Sequence, residues 1–232
     1  MRSKRGEMMK QFWTNILLTI CVVMVLMSFA AAAPTGGVVT KGPTEKGTGS
    51  TSGTATLEGG NVTMVNISGT QITSKWGGFY GFISGGIQLT DSAANNFYVW
   101  TIGNFTGGVV YAVNSTVASW TLSPINTSVT PYDVSTVASD NFNHTFSTTA
   151  TFTAPSMSVN NVPYTTTYQN GAMGTLRTYG LIVSTSPNTN VWAGMIQTNA
   201  SSFKGGGALV DYQILAPART TGTIYNFYLE MP

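Results

Sequence analysis

Ile224-Tyr225-Asn226-Phe227-Tyr228-Leu229-Glu230-Met231 decides the fold class of this chain. Tyr225, Phe227, Leu229 and Met231 fall on one side of an extended backbone, and no helical spacing gathers all four. The same alternation recurs upstream. Residues 145–153 put Phe146, Ala150 and Phe152 on one side. Residues 97–102 set Phe97, Val99 and Thr101 against Tyr98, Trp100 and Ile102. Within 81–90, Ile83, Ile87 and Leu89 share the odd positions. Residues 62–64, 65–67, 109–113, 119–122, 162–168, 176–183, 191–197 and 209–215 complete the set. Clusters of Gly, Asn, Ser and Pro separate these stretches and turn the chain between them.

Period-two alternation rich in aromatic and β-branched residues is the strand signature. About 10–12 short strands predict an all-β fold, an antiparallel β-sandwich of immunoglobulin-like or jelly-roll-like type. The domain is expected over residues 61–232. In it two sheets bury their aromatic faces against each other, with Thr, Ser and Asn turned outward. No stretch beyond residue 33 has a helical period. One large domain is favoured over two, and a break would fall at 123–133 (SPINTSVTPYD). Residues 34–60 (PTGGVVTKGPTEKGTGSTSGTATLEGG) read as a flexible spacer whose last residues, 54–57, begin a strand.

The first 33 residues read as an export signal forming an apolar helix. Arg2, Lys4, Arg5 and Lys10 make a basic start, residues 16–29 (ILLTICVVMVLMSF) carry no charge, and Ala30 to Ala33 supply small residues before Pro34. Two readings compete with cleavage: an anchor retained in the membrane, and a pilin-type cut after Gly6. Lys10, Gln11 and Asn15 interrupt the approach to the apolar run and count against the second. Cys21 follows Ile20, which is too large for a lipid-attachment motif. The expected location is outside the cell, with membrane contact only through this segment if it is uncleaved.

Beyond residue 33 there are six basic residues (Lys41, Lys46, Lys75, Arg177, Lys204, Arg219) and seven acids (Glu45, Glu58, Asp91, Asp133, Asp140, Asp211, Glu230). The basic character of the whole chain thus comes from its start, and nothing argues for nucleic acid as a partner. Only 8% of residues are charged, against about 25% in ordinary soluble proteins. Ser, Thr, Asn and Gly must keep the surface wet, and glycan would do the same. Asn61, Asn66, Asn104, Asn114, Asn126, Asn143 and Asn199 each open an Asn-x-Ser/Thr sequon, so seven glycan acceptors are expected. The chain's single cysteine is Cys21. The β region therefore folds without disulfides, which its length of roughly 175 residues permits, and it has no thiolate chemistry.

Trp76-Gly77-Gly78-Phe79-Tyr80-Gly81, Gly85-Gly86-Ile87-Gln88-Leu89, Phe97-Tyr98-Val99-Trp100, Gly108-Val109-Val110-Tyr111-Ala112 and Ser119-Trp120 occur in that order. Val210-Asp211-Tyr212-Gln213 and Tyr225-Asn226-Phe227-Tyr228-Leu229-Glu230 follow. This series resembles a group of exported archaeal β-domain surface proteins of unassigned activity, over most of residues 74–232. The resemblance implies a secreted, surface-associated domain and brings no catalytic residue with it. The spacer and sequons are also similar in composition to subunits of archaeal extracellular filaments.

No catalytic residue, cofactor or metal site is assigned. His144, the only histidine, sits inside the sequon Asn143-His144-Thr145, where it is expected to be exposed rather than oriented by an acid. Asp91, Asp133, Asp140, Asp211 and Glu230 are far apart in sequence, and a glycosidase needs two of them facing across a cleft. Asp91 reads as a turn residue. Asp211 falls in an apolar strand and calls for Arg177 or Arg219 as its partner. A shared calcium site at Asp133 and Asp140 is the best metal candidate, although no Asp-x-Asp spacing supports it. Lys204-Gly205-Gly206-Gly207 lacks the phosphate-loop spacing and reads as a hairpin loop. Trp76, Tyr80, Trp100, Trp120 and Trp192 are core aromatics or a sugar platform; core is the commoner place for any one of them, and Trp76, beside Lys75 and two glycines, is the one to check for exposure.

Three functions remain. The first is a structural or adhesive surface protein, in its sharper form a filament subunit that lends residues 54–68 to a neighbour's sheet edge. Its partners are copies of itself, other surface proteins or glycans. The second is an extracellular carbohydrate-binding module, and the third a secreted hydrolase.

Overall fold

The computed structural model describes residues 34–56, 58–125, 139–183 and 189–232. The expected export signal, Asn126, Asp133 and Leu57 lie outside these. Among the described residues the chain is almost entirely antiparallel β structure. Its strands are β1 (Thr35–Gly36), β2 (Trp76–Gly81), β3 (Gly86–Thr90), β4 (Asn96–Thr101), β5 (Val109–Val113) and β6 (Leu122–Pro124). After one helical turn, α1 (Phe142–Thr145), come β7 (Thr148–Ala154), β8 (Met157–Gln169), β9 (Ala172–Val183), β10 (Thr189–Met195), β11 (Ala200–Ser201), β12 (Leu209–Val210), β13 (Tyr212–Pro217) and β14 (Asn226–Glu230).

One sheet dominates, in the order β1-β14-β5-β10-β9-β8-β7, with β6 also paired to β9. Alternation sorts its side chains cleanly. On β5, Val110 and Ala112 enter one core, and Val109, Tyr111 and Val113 enter the other. β10 does the same with Trp192 against Val191 and Ala193. Both faces are covered, so β5 is apolar throughout and β10 is so from Val191 to Met195.

The two faces are covered differently. The first lies under β2 and β13, which pair with each other, and under α1, which brings Phe142 and Phe146 onto Trp192. Here β13 crosses β10 so closely that a Cβ on Gly194 would lie 2.4 Å from Ile214. The second face is closed by the sheet itself. Four steps separate β5 from β7, about 19 Å in a flat sheet, yet the Tyr111 and Phe152 rings are 6.4 Å apart. Register shifts at Ala150/Phe152 and Thr166/Tyr168 mark the bends, since a bulge increases local twist. The curl is latched where the Ser156 amide, in the β7–β8 turn, donates to Glu230 Oε1 of β14 at 2.5 Å.

Several expected strands are placed otherwise. Residues 62–64 and 65–67 are in no strand, nor are the described residues of 54–57; regular pairing resumes at Trp76. Thr35 and Gly36, at the head of the expected spacer, pair with Leu229 and Tyr228. The stretch 145–153 begins with the end of α1, because Asn141 caps that turn: its Oδ1 accepts from the His144 amide. Asn is a favoured cap for this reason.

Candidate functional site

The described candidate groups each have contacts of their own. His144 is exposed on α1, with Nδ1 3.3 Å from the Ser139 carbonyl oxygen. Asp91 closes the β3–β4 turn, accepting from the Asn95 side chain and the Ala93 and Asn95 amides; the Asn95 bonds foremost hold its carboxyl below the usual range. Asp140 accepts from Thr73 and pairs with Lys75 at 3.2 Å, and these contacts, Thr73 first, lower its carboxyl too. Of the expected calcium pair Asp140 alone is placed, since Asp133 lies outside the described residues. Among the described residues no three His, Cys, Asp or Glu side chains cluster.

Asp211 corrects an expectation. It is buried, but its partners are backbone amides, Ile83 at 2.8 Å and Asn199 at 2.9 Å, instead of an arginine. Amide donors satisfy a buried carboxylate as well as a cation does. Arg177 lies over the Tyr164 ring and donates to the Tyr179 hydroxyl. Glu230, also buried, accepts from the Tyr111 hydroxyl at 2.5 Å as well as from Ser156. Burial first, then this carboxylate, holds the Tyr111 proton far above its ordinary range. The carboxylates of Asp211 and Glu230 thus tie loops and strands together.

Six of the seven sequon asparagines are described, and all six are exposed: Asn61, Asn66, Asn104, Asn114, Asn143 and Asn199. Asn141 and Asn190, outside any sequon, are buried. Asn104 shows the local chemistry. Its Oδ1 accepts from the Thr106 amide at 2.8 Å and the Thr198 hydroxyl at 2.9 Å, orienting the amide group. Thr198 precedes Asn199, so two acceptors share one corner. That corner lies beyond the Val109–Met195 end of the paired β5 and β10, and Asn114 follows the opposite end.

Of the five aromatic candidates, Trp76, Trp120 and Trp192 pack on the cores, and Trp100 and Tyr80 are exposed. Trp76 is half-buried against Phe146 and Trp192, and its indole N–H donates to the Asp140 carbonyl. Trp120 packs on Tyr111 and Tyr228, and Trp192 is 1% exposed. Trp100, on β4, is the open one at 47%. Tyr80 and Phe203 are also exposed, their rings 5.0 Å apart, with the Lys204 ammonium 5.6 Å from the Tyr80 ring. The Lys204 run is the expected loop, with Gly205, Gly206 and Gly207 all at positive φ between β11 and β12.

Two uncovered apolar elements stand out. Residues 61–68 follow a turn closed by the Asn61 amide on the Glu58 carbonyl. Val62, Met64, Val65 and Ile67 are all exposed, Met64 at 83%. The β3–β4 hairpin is exposed along both strands. Its root passes Met231 and Phe105, which lie against Gly85. The strand pattern of these elements was readable; that nothing covers them was not, because covering depends on residues distant in sequence. Compared with protein-family models, curated proteins and solved structures, the chain matches none.

Proposed function

We propose that this chain is an exported, glycosylated cell-surface protein, structural or adhesive, that polymerises into a filament by strand addition. Its all-β body belongs, in this reading, to the sandwich class expected from the sequence. One observation carries it: residues 61–68 have a strand sequence, no charged residue and no strand partner among the described residues. An unpaired apolar strand is a template for pairing with another chain. Exposure of every described sequon asparagine supports the glycan coat, which would keep so weakly charged a surface in solution. The archaeal setting rests on the resemblance alone.

Deletion of residues 58–68 from the full chain tests it. Electron microscopy of secreted material should show filaments from the parent and only folded monomers from the deletion, with an unchanged melting temperature. Filaments from both, or none from either, would reject the reading. Mass spectrometry of the same material should find glycan on most of Asn104, Asn114, Asn143 and Asn199, with Asn61 and Asn66 bare in the assembled parent because they lie within the lent strand.

A second reading, carbohydrate binding, is favoured by the exposed Tyr80 and Phe203 rings beside Lys204. Aromatic faces hold sugar rings while an ammonium donates to their hydroxyls. Loss of retention on a polysaccharide column in Tyr80→Ala would establish it; equal retention would remove it.

A further inference from the structure

Resting on the strand-addition reading, we propose that the β3–β4 hairpin is the acceptor, and that residues 61–68 of a second copy of this chain dock on it. The register pairs Ile87 with Trp100 and Leu89 with Tyr98. One face of the hairpin therefore carries four large apolar side chains, and each is at least 46% exposed. β3 and β4 pair only with each other among the described strands, so each keeps an outer edge. Exposed edges are ordinarily guarded by Lys, Pro or a charge. Gly-Ile-Gln-Leu-Thr and Asn-Phe-Tyr-Val-Trp-Thr contain none, and the one irregularity lies at Leu89/Thr90, next to the turn. A lone two-stranded hairpin is marginal in water, and a third strand with an apolar face completes it.

Chemistry selects the occupant. A lipid surface would be entered tip first, but the tip is Asp91-Ser92-Ala93-Ala94-Asn95, with the Asp91 carboxylate bonded to Asn95. Residues 61–68 (NVTMVNIS) match in kind: no charge, no proline, and long enough for strands of five and six residues. Within one chain the two elements both remain open, so the segment that covers the hairpin is taken from another copy.

Two full-length chains, both with Cys21→Ser so that no other thiol is present, test the contact. One carries Met64→Cys and the other Val99→Cys. Mixed under polymerising conditions and treated with a short bis-maleimide, they should give the mixed dimer as the main product. A dominant Val99–Val99 dimer, or no dimer, would overturn the assignment. In parallel, Leu89→Lys should raise the concentration needed for assembly by about tenfold or more, the effect of a charge in an apolar contact, without moving the melting temperature. Val65→Pro, which removes a ladder donor from the lent segment, should do the same. If Val65→Pro blocks assembly and Leu89→Lys does not, strand addition stands and the hairpin is not its acceptor. If neither acts, both proposals fall.

Discussion

Val109–Val113 and Asn96–Thr101 lie only seven residues apart and have similar composition, with short aromatic and β-branched runs and no charge. All of β5 is buried and all of β4 is exposed. Alternation in a sequence reports extended backbone and two distinct faces. It does not report what lies opposite them. β5 sits between β14 and β10, under the curl on one face and under β13 on the other. β4 has β3 alone. An exposed element with core composition is an incomplete structure, and that incompleteness is the strongest functional signal here.

The comparison can be broken by substituting matched pairs in urea or thermal unfolding. Trp192→Ala should cost about 3–5 kcal/mol, the range for emptying a buried aromatic site, while Trp100→Ala should cost less than about 1 kcal/mol in the monomer. Equal losses would mean that the hairpin is packed in solution. Next in size, Gly194→Ala forces a Cβ against Ile214 and should destabilise by about 1–3 kcal/mol. Gly86→Ala, whose Cβ meets only the Trp100 carbonyl at 3.4 Å, should stay within about 0.5 kcal/mol.

Tyr111→Phe leaves Glu230 short of a buried donor and should cost about 1–3 kcal/mol, against about 0.5 kcal/mol or less for Tyr98→Phe on the open hairpin. The smallest effect concerns acid. The Asp140 carboxyl is lowered from 3.8 by its bonds to Thr73 and Lys75. Its contribution is therefore complete above pH 3.8 and fades as pH falls through the lower folded value. Asp140→Asn should flatten that part of the stability–pH curve, and a carboxyl titration followed by NMR should place the Asp140 midpoint below 3.8.

Much of the framework was legible because it is local. In 224–231, Tyr225, Phe227, Leu229 and Met231 do pack on one core, as their spacing requires. The opposite face, with Tyr228 in the second core and Glu230 buried, was not legible, since a glutamate signals solvent until its donors on β5 and the β7–β8 turn are known. Sequons were readable from three residues each. The partners of Asp211 were not, because the Ile83 amide that it accepts from is 128 residues away. Trp76 could be read either way for a related reason: its charged and glycine neighbours left its exposure open, while distant Phe146 and Trp192 receive its ring. Residues 62–64 and 65–67 each alternate as a strand does, yet they pair with no strand among the described residues.

Thr35 and Gly36 pair with β14, the Gly37 amide adds one bond to the Phe227 carbonyl, and residues 37–75 form no further strand among those described. β1 starts at the same end at which β14 finishes, so tension drawn on Pro34 against the far terminus peels this pairing bond by bond. Once it parts, the ties of Glu45 to Lys204, Ser50 to Thr70, and Thr73 and Lys75 to Asp140 take the load in turn, and only after them can the chain up to Trp76 pay out on the order of 130 Å at ~3.3–3.6 Å per residue. The domain thus carries a leash held by a row of weak clasps, suited to yielding under pull in steps.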